Sequence, residues 1–317
     1  MKRSTHVFGA LLLMFVLGLT ACSRKEQATS GKLRVVTTLF PLYDFARQVG
    51  GDRVEVTLLL PPGLEPHSFE PSPEDMVKIS RADLFVYTSD VMEPWAVRFL
   101  KGLTGGRRPE VVVASAGVKF MKEPAGAGDA QDAGDEDHHP GGLDPHVWLD
   151  FDNARRMVDN IAAGLARRDP AGREEYARNA AAYDKKLAAL DARYRTGLAT
   201  CRTRTFVHGG HYAFGYLARR YNLHYIAATP LSTDAEPTPR RMMELTRQVK
   251  ENGLKYIFYG ELVSPRIAET IARETGAQIL QLNAAHNLSR DDRDKGVTFL
   301  SLMEENLERL RTGLQCR

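Results

Sequence analysis

The sequence predicts an α/β protein of two similar domains with mainly parallel sheets, joined by one long rigid helix. Three observations predict it. Short β-branched or apolar runs alternate with helical patterns, the order that builds parallel sheets through crossover helices. The same alternation returns in the second half of the chain without obvious repetition of sequence. Between the halves lies a stretch with the composition of one uninterrupted helix. A chain of 317 residues also has the length of about two domains.

In the first half, strands are expected at 33–38, 54–60, 84–87 and 111–114, with helices at 42–49, 73–81 and 94–103. In the second half, strands are expected at 205–208, 224–228, 256–259 and 278–282. Their helices are expected at 212–221, 239–252, 265–275 and 297–312. A helix at 152–167 precedes the centre, and Asp169-Pro170 restarts the chain, since proline suits a first helical turn. Residues 174–198 then carry no proline and no glycine before Gly197, and are rich in Ala, Arg, Lys, Glu and Leu. These are strong helix formers, and about 25 residues at 1.5 Å each make a rod of about 37 Å. Such a rod can lie on the surface of one domain. With α/β units on both sides, it reads as a link that restricts hinge motion.

The chain begins with Lys2 and Arg3, an apolar run at 7–19, and Leu19-Thr20-Ala21-Cys22. A basic start, a short apolar run and a small-residue end make an export signal. The run is too short for the roughly 20 residues of a membrane-spanning helix. Leu-Thr-Ala-Cys resembles the lipobox of bacterial lipoproteins, in which the cysteine becomes the lipidated N-terminus. The alternative is an ordinary signal with an incidental cysteine. Residues 22–31 then form a polar, flexible tether. Losing residues 1–21 removes two positive charges and brings the net charge from +3 to +1. Neither value is a nucleic-acid footprint. Hydrophobic residues at 43% and charged residues at 26% exclude wholesale disorder. The remaining cysteines, Cys201 and Cys316, can close one disulfide in an exported protein or stand as two free thiols.

Residues 125–142 break the α/β pattern. They hold five acidic residues, five glycines, His138 and His139, and no large apolar side chain. Such a segment cannot bury a core. It is either a solvated linker or a weak metal-collecting loop, since His and Asp tracts bind divalent cations.

Of the remaining histidines, His67, His146, His211 and His286 have informative contexts. His67 lies in Pro-Pro-Gly-Leu-Glu-Pro-His-Ser-Phe-Glu-Pro-Ser-Pro beyond the second strand, and His146 in Asp-Pro-His-Val-Trp-Leu-Asp after the acidic loop. His211 lies between a strand and a helix, and His286 beyond the last strand. Ligands of open α/β sheets bind outside the carboxyl ends of strands. Position therefore groups these histidines, although no HxH or HExxH spacing does.

On these segments the chain resembles the metal-specific solute-binding lipoproteins of bacterial ABC importers, the zinc and manganese type. Further matching pieces are Val-Thr-Thr-Leu-Phe-Pro-Leu from Val36, Ala-Asp-Leu from Ala82, His-Tyr-Ala-Phe-Gly-Tyr-Leu-Ala from His211, Glu-Pro-Thr-Pro from Glu236 and Ile-Phe-Tyr-Gly-Glu from Ile257. The resemblance implies a metal site in the cleft between the domains. It implies His67 and His146 as ligands from the first domain and His211 from the second. A histidine at that third place points to Zn2+ rather than Mn2+ or Fe2+, because nitrogen donors suit zinc and carboxylates suit manganese. The family's fourth ligand is usually an aspartate after the last strand, where this chain has Asn283. His286, a water, Glu65 or Glu261 can complete the set.

The resemblance further implies a monomer without enzymatic activity. It would be exported, held to the bacterial membrane by its lipid alone, and face the periplasm or the cell exterior. Its partners would be a divalent metal ion and an ABC transporter permease, with no nucleic acid. His138 and His139 would form an auxiliary metal loop. The expected boundaries are a signal at 1–21, a tether at 22–31 and an N-terminal domain at 32–168 with its acidic loop at 123–143. A linker helix at 169–199 and a C-terminal domain at 200–317 follow. A zinc hydrolase or lyase, with Glu65 or Glu261 as base, is the rival from another class. An adhesin with an incidental metal is a third.

Overall fold

The computed structural model describes residues 31–103, 108–122, 142–231, 236–262 and 264–317. The export signal, Cys22, nearly all of the tether, and His138 and His139 of the acidic loop lie outside the described residues.

The first lobe alternates β1 (Leu33–Thr37), α1 (Phe40–Gly50), β2 (Val54–Leu58), α2 (Pro73–Arg81), β3 (Leu84–Tyr87), α3 (Pro94–Gly102) and β4 (Glu110–Val113). The strands pair in parallel in the order β2-β1-β3-β4, with Val35 opposite Val56 and Leu84. Both faces of β3 are buried, as crossover helices on a parallel sheet require. A two-stranded antiparallel ribbon, β5 (Met121–Lys122) with β6 (Leu143–Asp144), follows, and α4 (Phe151–Arg168) closes the lobe. Asp150 caps α4 by accepting from the amides of Asp152 and Asn153.

The second lobe alternates β7 (Thr205–His211), α6 (Gly215–Arg220), β8 (His224–Thr229), α7 (Pro239–Glu251), β9 (Tyr256–Tyr259), α8 (Arg266–Thr275) and β10 (Gln278–Gln281). The long helix between the lobes is α5 (Arg173–Gly197). The short α9 (Arg290–Asp294) and α10 (Phe299–Gly313) end the chain. Its sheet order, β10-β9-β7-β8, is the first lobe's order seen from the other edge. Counting within each lobe, both sheets run 2-1-3-4, so the topology repeats although the sequence does not.

All eight strands expected of the two sheets are present, and two features differ locally. Strand β7 runs on to His211, with a register shift against β8 between His208 and His211. Gly209 and Gly210 permit it. A Cβ on Gly209 would lie 3.0 Å from the Ala268 backbone, and one on Gly210 would lie 2.8 Å from the His208 ring. Helix α6 correspondingly starts at Gly215 rather than at residue 212, because residues 212–214 descend from the extended strand.

Helix α5 is bonded to both lobes. Its Asn179 side chain donates to the Val49 carbonyl and its Tyr183 hydroxyl to Asp44, both on α1. Further along, the Tyr194 hydroxyl donates to the Met303 carbonyl on α10. The same Asp44 carboxylate accepts the Phe299 amide at the start of α10, and the Phe45 ring packs against Tyr183 and Phe299. One apolar core therefore runs from the first lobe through α5 into the second. The Cys201 and Cys316 sulfurs are bonded, tying the chain end to the start of the second lobe. Among the described residues no helix is long and apolar enough to cross a membrane.

Candidate metal centre

Four loops or strand ends meet between the lobes, and each brings one histidine. His67 sits on the proline-rich loop between β2 and α2, where four prolines and Gly63, at φ +79°, hold an irregular path. His146 follows β6 and opens a single 3-10 turn, Val147–Leu149. His211 is the last residue of β7. His286 lies beyond β10, on a loop that reverses through Ala285 at φ +57°. A left-handed alanine is unfavourable by itself. The Asn283 side chain offsets this by accepting the Ala285 amide at 2.7 Å.

One ring nitrogen from each of His67, His146, His211 and His286 lies within 4.8 Å of all the others. His146 Nε2 is 3.2 Å from His67 Nε2 and 3.4 Å from His211 Nε2. Four nitrogens at about 2.0–2.1 Å around a tetrahedral zinc ion stand about 3.3–3.4 Å apart. His146, His211 and His286 are buried or nearly so, while His67 is half-buried at the mouth.

The carboxylates stand behind the rings. Asp144, fully buried, meets His146 Nδ1 at 2.7 Å and also accepts the His146 amide. This bond places the ring hydrogen on Nδ1 and leaves Nε2 bare, the carboxylate–histidine arrangement of metal sites. Glu261 Oε1 is 3.7 Å from His286 Nδ1, a looser contact, and its other oxygen accepts the Ala284 amide. Asn283, Glu261 and Glu65 border the cluster: the Asn283 oxygen accepts the Ala285 amide, and a Glu65 oxygen lies 3.5 Å from the His67 amide. A cavity of about 20 Å³ beside the cluster is lined by Glu65, His208, His211, Glu261 and His286. That is space for roughly one water molecule.

The remaining described histidines stay out of the cluster. His208 is buried, which pulls its pKa down to about 4, and its Nδ1 accepts the Gly210 amide. His224 is exposed at the start of β8. Two residues without an assigned role in the sequence matter here. Trp148 donates from its indole to the Ala284 carbonyl across the cleft at 2.8 Å and meets the His146 and His286 rings edge-on. Asp144 had a local signal, a carboxylate two residues before the histidine in Asp-Pro-His.

Fold and site together define a two-lobed binding protein with a four-histidine cluster in its cleft that could hold a metal ion. Residues 35–313 match the family model described as zinc-uptake complex component A, periplasmic, and the chain belongs to that family. It is 40% identical over 315 residues to the zinc-binding lipoprotein AdcA of Streptococcus pneumoniae, covering 98% of this chain and 61% of that protein. The chain thus spans less than two thirds of that relative's length. It is 36% identical over 318 residues to the high-affinity zinc uptake system protein ZnuA of Bacillus subtilis, covering 97% of this chain and 96% of that one. Its fold matches the crystal structure of the Zn(II)-bound ZnuA-like domain of the Streptococcus pneumoniae protein. The TM-score is 0.75 at 37% identity, over 90% of this chain and 99% of that domain.

Proposed function

We propose that this protein captures zinc outside the cytoplasm and delivers it to the permease of an ABC importer. The observation that carries the reading is the cluster itself: four imidazoles from two lobes, with nitrogen spacings of 3.2 and 3.4 Å that match the edges of a zinc tetrahedron. His67, His146, His211 and His286 are the ligands. A set without a carboxylate disfavours manganese, which prefers oxygen donors. Four protein ligands leave no open position, as a zinc enzyme would need for its water or substrate. The ligands bind as neutral imidazoles, so zinc affinity falls in acid.

The rest of the reading concerns placement. Cys22 is the lipidated residue that holds the protein to its membrane, and 22–31 the tether. The domains divide at 32–168, 169–199 and 200–317, with α5 as the link. His138 and His139 form an auxiliary metal loop. The protein works as a monomer.

Titration of metal-free protein with zinc against a competing chelator tests the function. Binding much tighter than micromolar is expected, with manganese far weaker. Zinc binding no better than about micromolar would sink the reading.

A further inference from the structure

Resting on the reading that the four histidines hold the ion, we propose that Asn287 is a latch between the lobes that sets how fast the ion leaves. Asn287 follows His286 and is only 1% exposed. Its amide nitrogen donates to the Pro61 carbonyl at 2.7 Å and the Leu64 carbonyl at 3.0 Å. Both carbonyls belong to the loop that carries His67, on the opposite lobe. Its oxygen accepts the Leu288 amide of its own loop at 2.8 Å. A primary amide has two donors, and both are spent on one loop across the cleft.

Two backbone bonds flank the latch. The Gly63 amide donates to the Leu288 carbonyl at 2.9 Å and the Phe40 amide to the His286 carbonyl at 3.1 Å. None of these bonds needs a metal, so the His67 and His286 loops are held together before the ion arrives. Such pre-organisation lowers the cost of binding. It also means that the ion leaves only after the loops part, which strips buried carbonyls of their donor. Asn287 touches no ion in this scheme; it is a positioning residue.

The test uses Asn287→Ala and Asn287→Asp in the full chain. Aspartate keeps the acceptor for Leu288 but sets a carboxylate oxygen against the two carbonyls. Zinc release into excess chelator, followed by stopped flow, should quicken about tenfold in Asn287→Ala and further in Asn287→Asp, and association should quicken as well, because entry needs the same parting of the loops. Hydrogen exchange in metal-free protein provides the second readout. The Gly63 and Phe40 amides should lose protection in both variants, while amides of β7 and β9 keep theirs. Release within twofold of wild type, or unchanged exchange at Gly63 and Phe40, overturns the latch. If Asn287→Asp does not fold, Asn287→Ala carries the test on the same criteria. If wild-type protein binds no zinc, the zinc reading fails by itself, and the exchange measurement still decides the latch.

Discussion

The two lobes share one sheet order but use its crevice differently. In a 2-1-3-4 sheet the crevice opens at the carboxyl ends of the first and third strands. In the first lobe that place is filled by the chain itself. Glu93 accepts the Thr38 hydroxyl at 2.5 Å and the Thr88 and Ser89 amides at 3.1 and 3.0 Å. Burial pushes its carboxyl up to about 7. In the second lobe the corresponding strands are β7 and β9, and β7 extends beyond buried His208 to present His211. The first lobe supplies its histidines from elsewhere, the loop after β2 and the segment after β6. Topology creates the crevice; the side chains seated there decide whether it can hold a ligand.

The firmest way to break this comparison is to remove one histidine from each lobe. His146→Ala and His211→Ala should each weaken zinc binding roughly a hundred- to a thousandfold, since each ligand supplies on the order of a quarter of about 10–16 kcal/mol. Competition titration measures it. Near-wild-type affinity in His211→Ala would leave His286 as the second lobe's one contribution to the cluster.

The filled crevice makes a pH prediction. A carboxyl with an ordinary pKa of 4.5 that titrates at about 7 in the fold favours the folded state when protonated. That stability is fully present below the ordinary value and is lost as pH rises through about 7. It amounts to about 3 kcal/mol at most. Melting temperatures of wild type and Glu93→Gln should therefore diverge in favour of wild type as pH falls from 8 to 5. A constant difference would show that Glu93 does not titrate there.

The carboxylates behind the rings sharpen the comparison further. Asp144→Asn should lower zinc affinity about 10–100-fold, the usual cost of losing such a partner. Glu261→Gln should cost only a few-fold, because Glu261 stands at 3.7 Å from its histidine where Asp144 stands at 2.7 Å. Equal losses would mean that the two rings are supported alike once zinc is bound.

Much of the scaffold was legible in the sequence because it is written locally. Alternating β-branched and helical runs marked all eight sheet strands, and the proline at 170 and the run after it marked α5 to within a residue or two. The ribbon of β5 and β6 escaped because its strands are two residues each and flank the acidic segment. The extension of β7 escaped because Gly209-Gly210 reads as a break, whereas the close approach of Ala268 is what requires glycine there. At the site, the contexts of His67, His146 and His211 were visible. Asn283 offered only the absence of the family's aspartate. Its turn-forming bond to Ala285 is a contact that no spacing announces.

The sequence by itself determined the alternation of elements, the rod between the halves, the family, and which histidines to consider. These follow from local propensity and from motifs contiguous in the chain. Only the tertiary structure decided that His286 stands with the other three, that Asp144 and Glu261 stand at unequal distances behind their rings, and that Asn287 joins loops more than two hundred residues apart. Those relations are distances between segments remote in sequence. They exist only once a shared core and the α5 rod have brought the two lobes together.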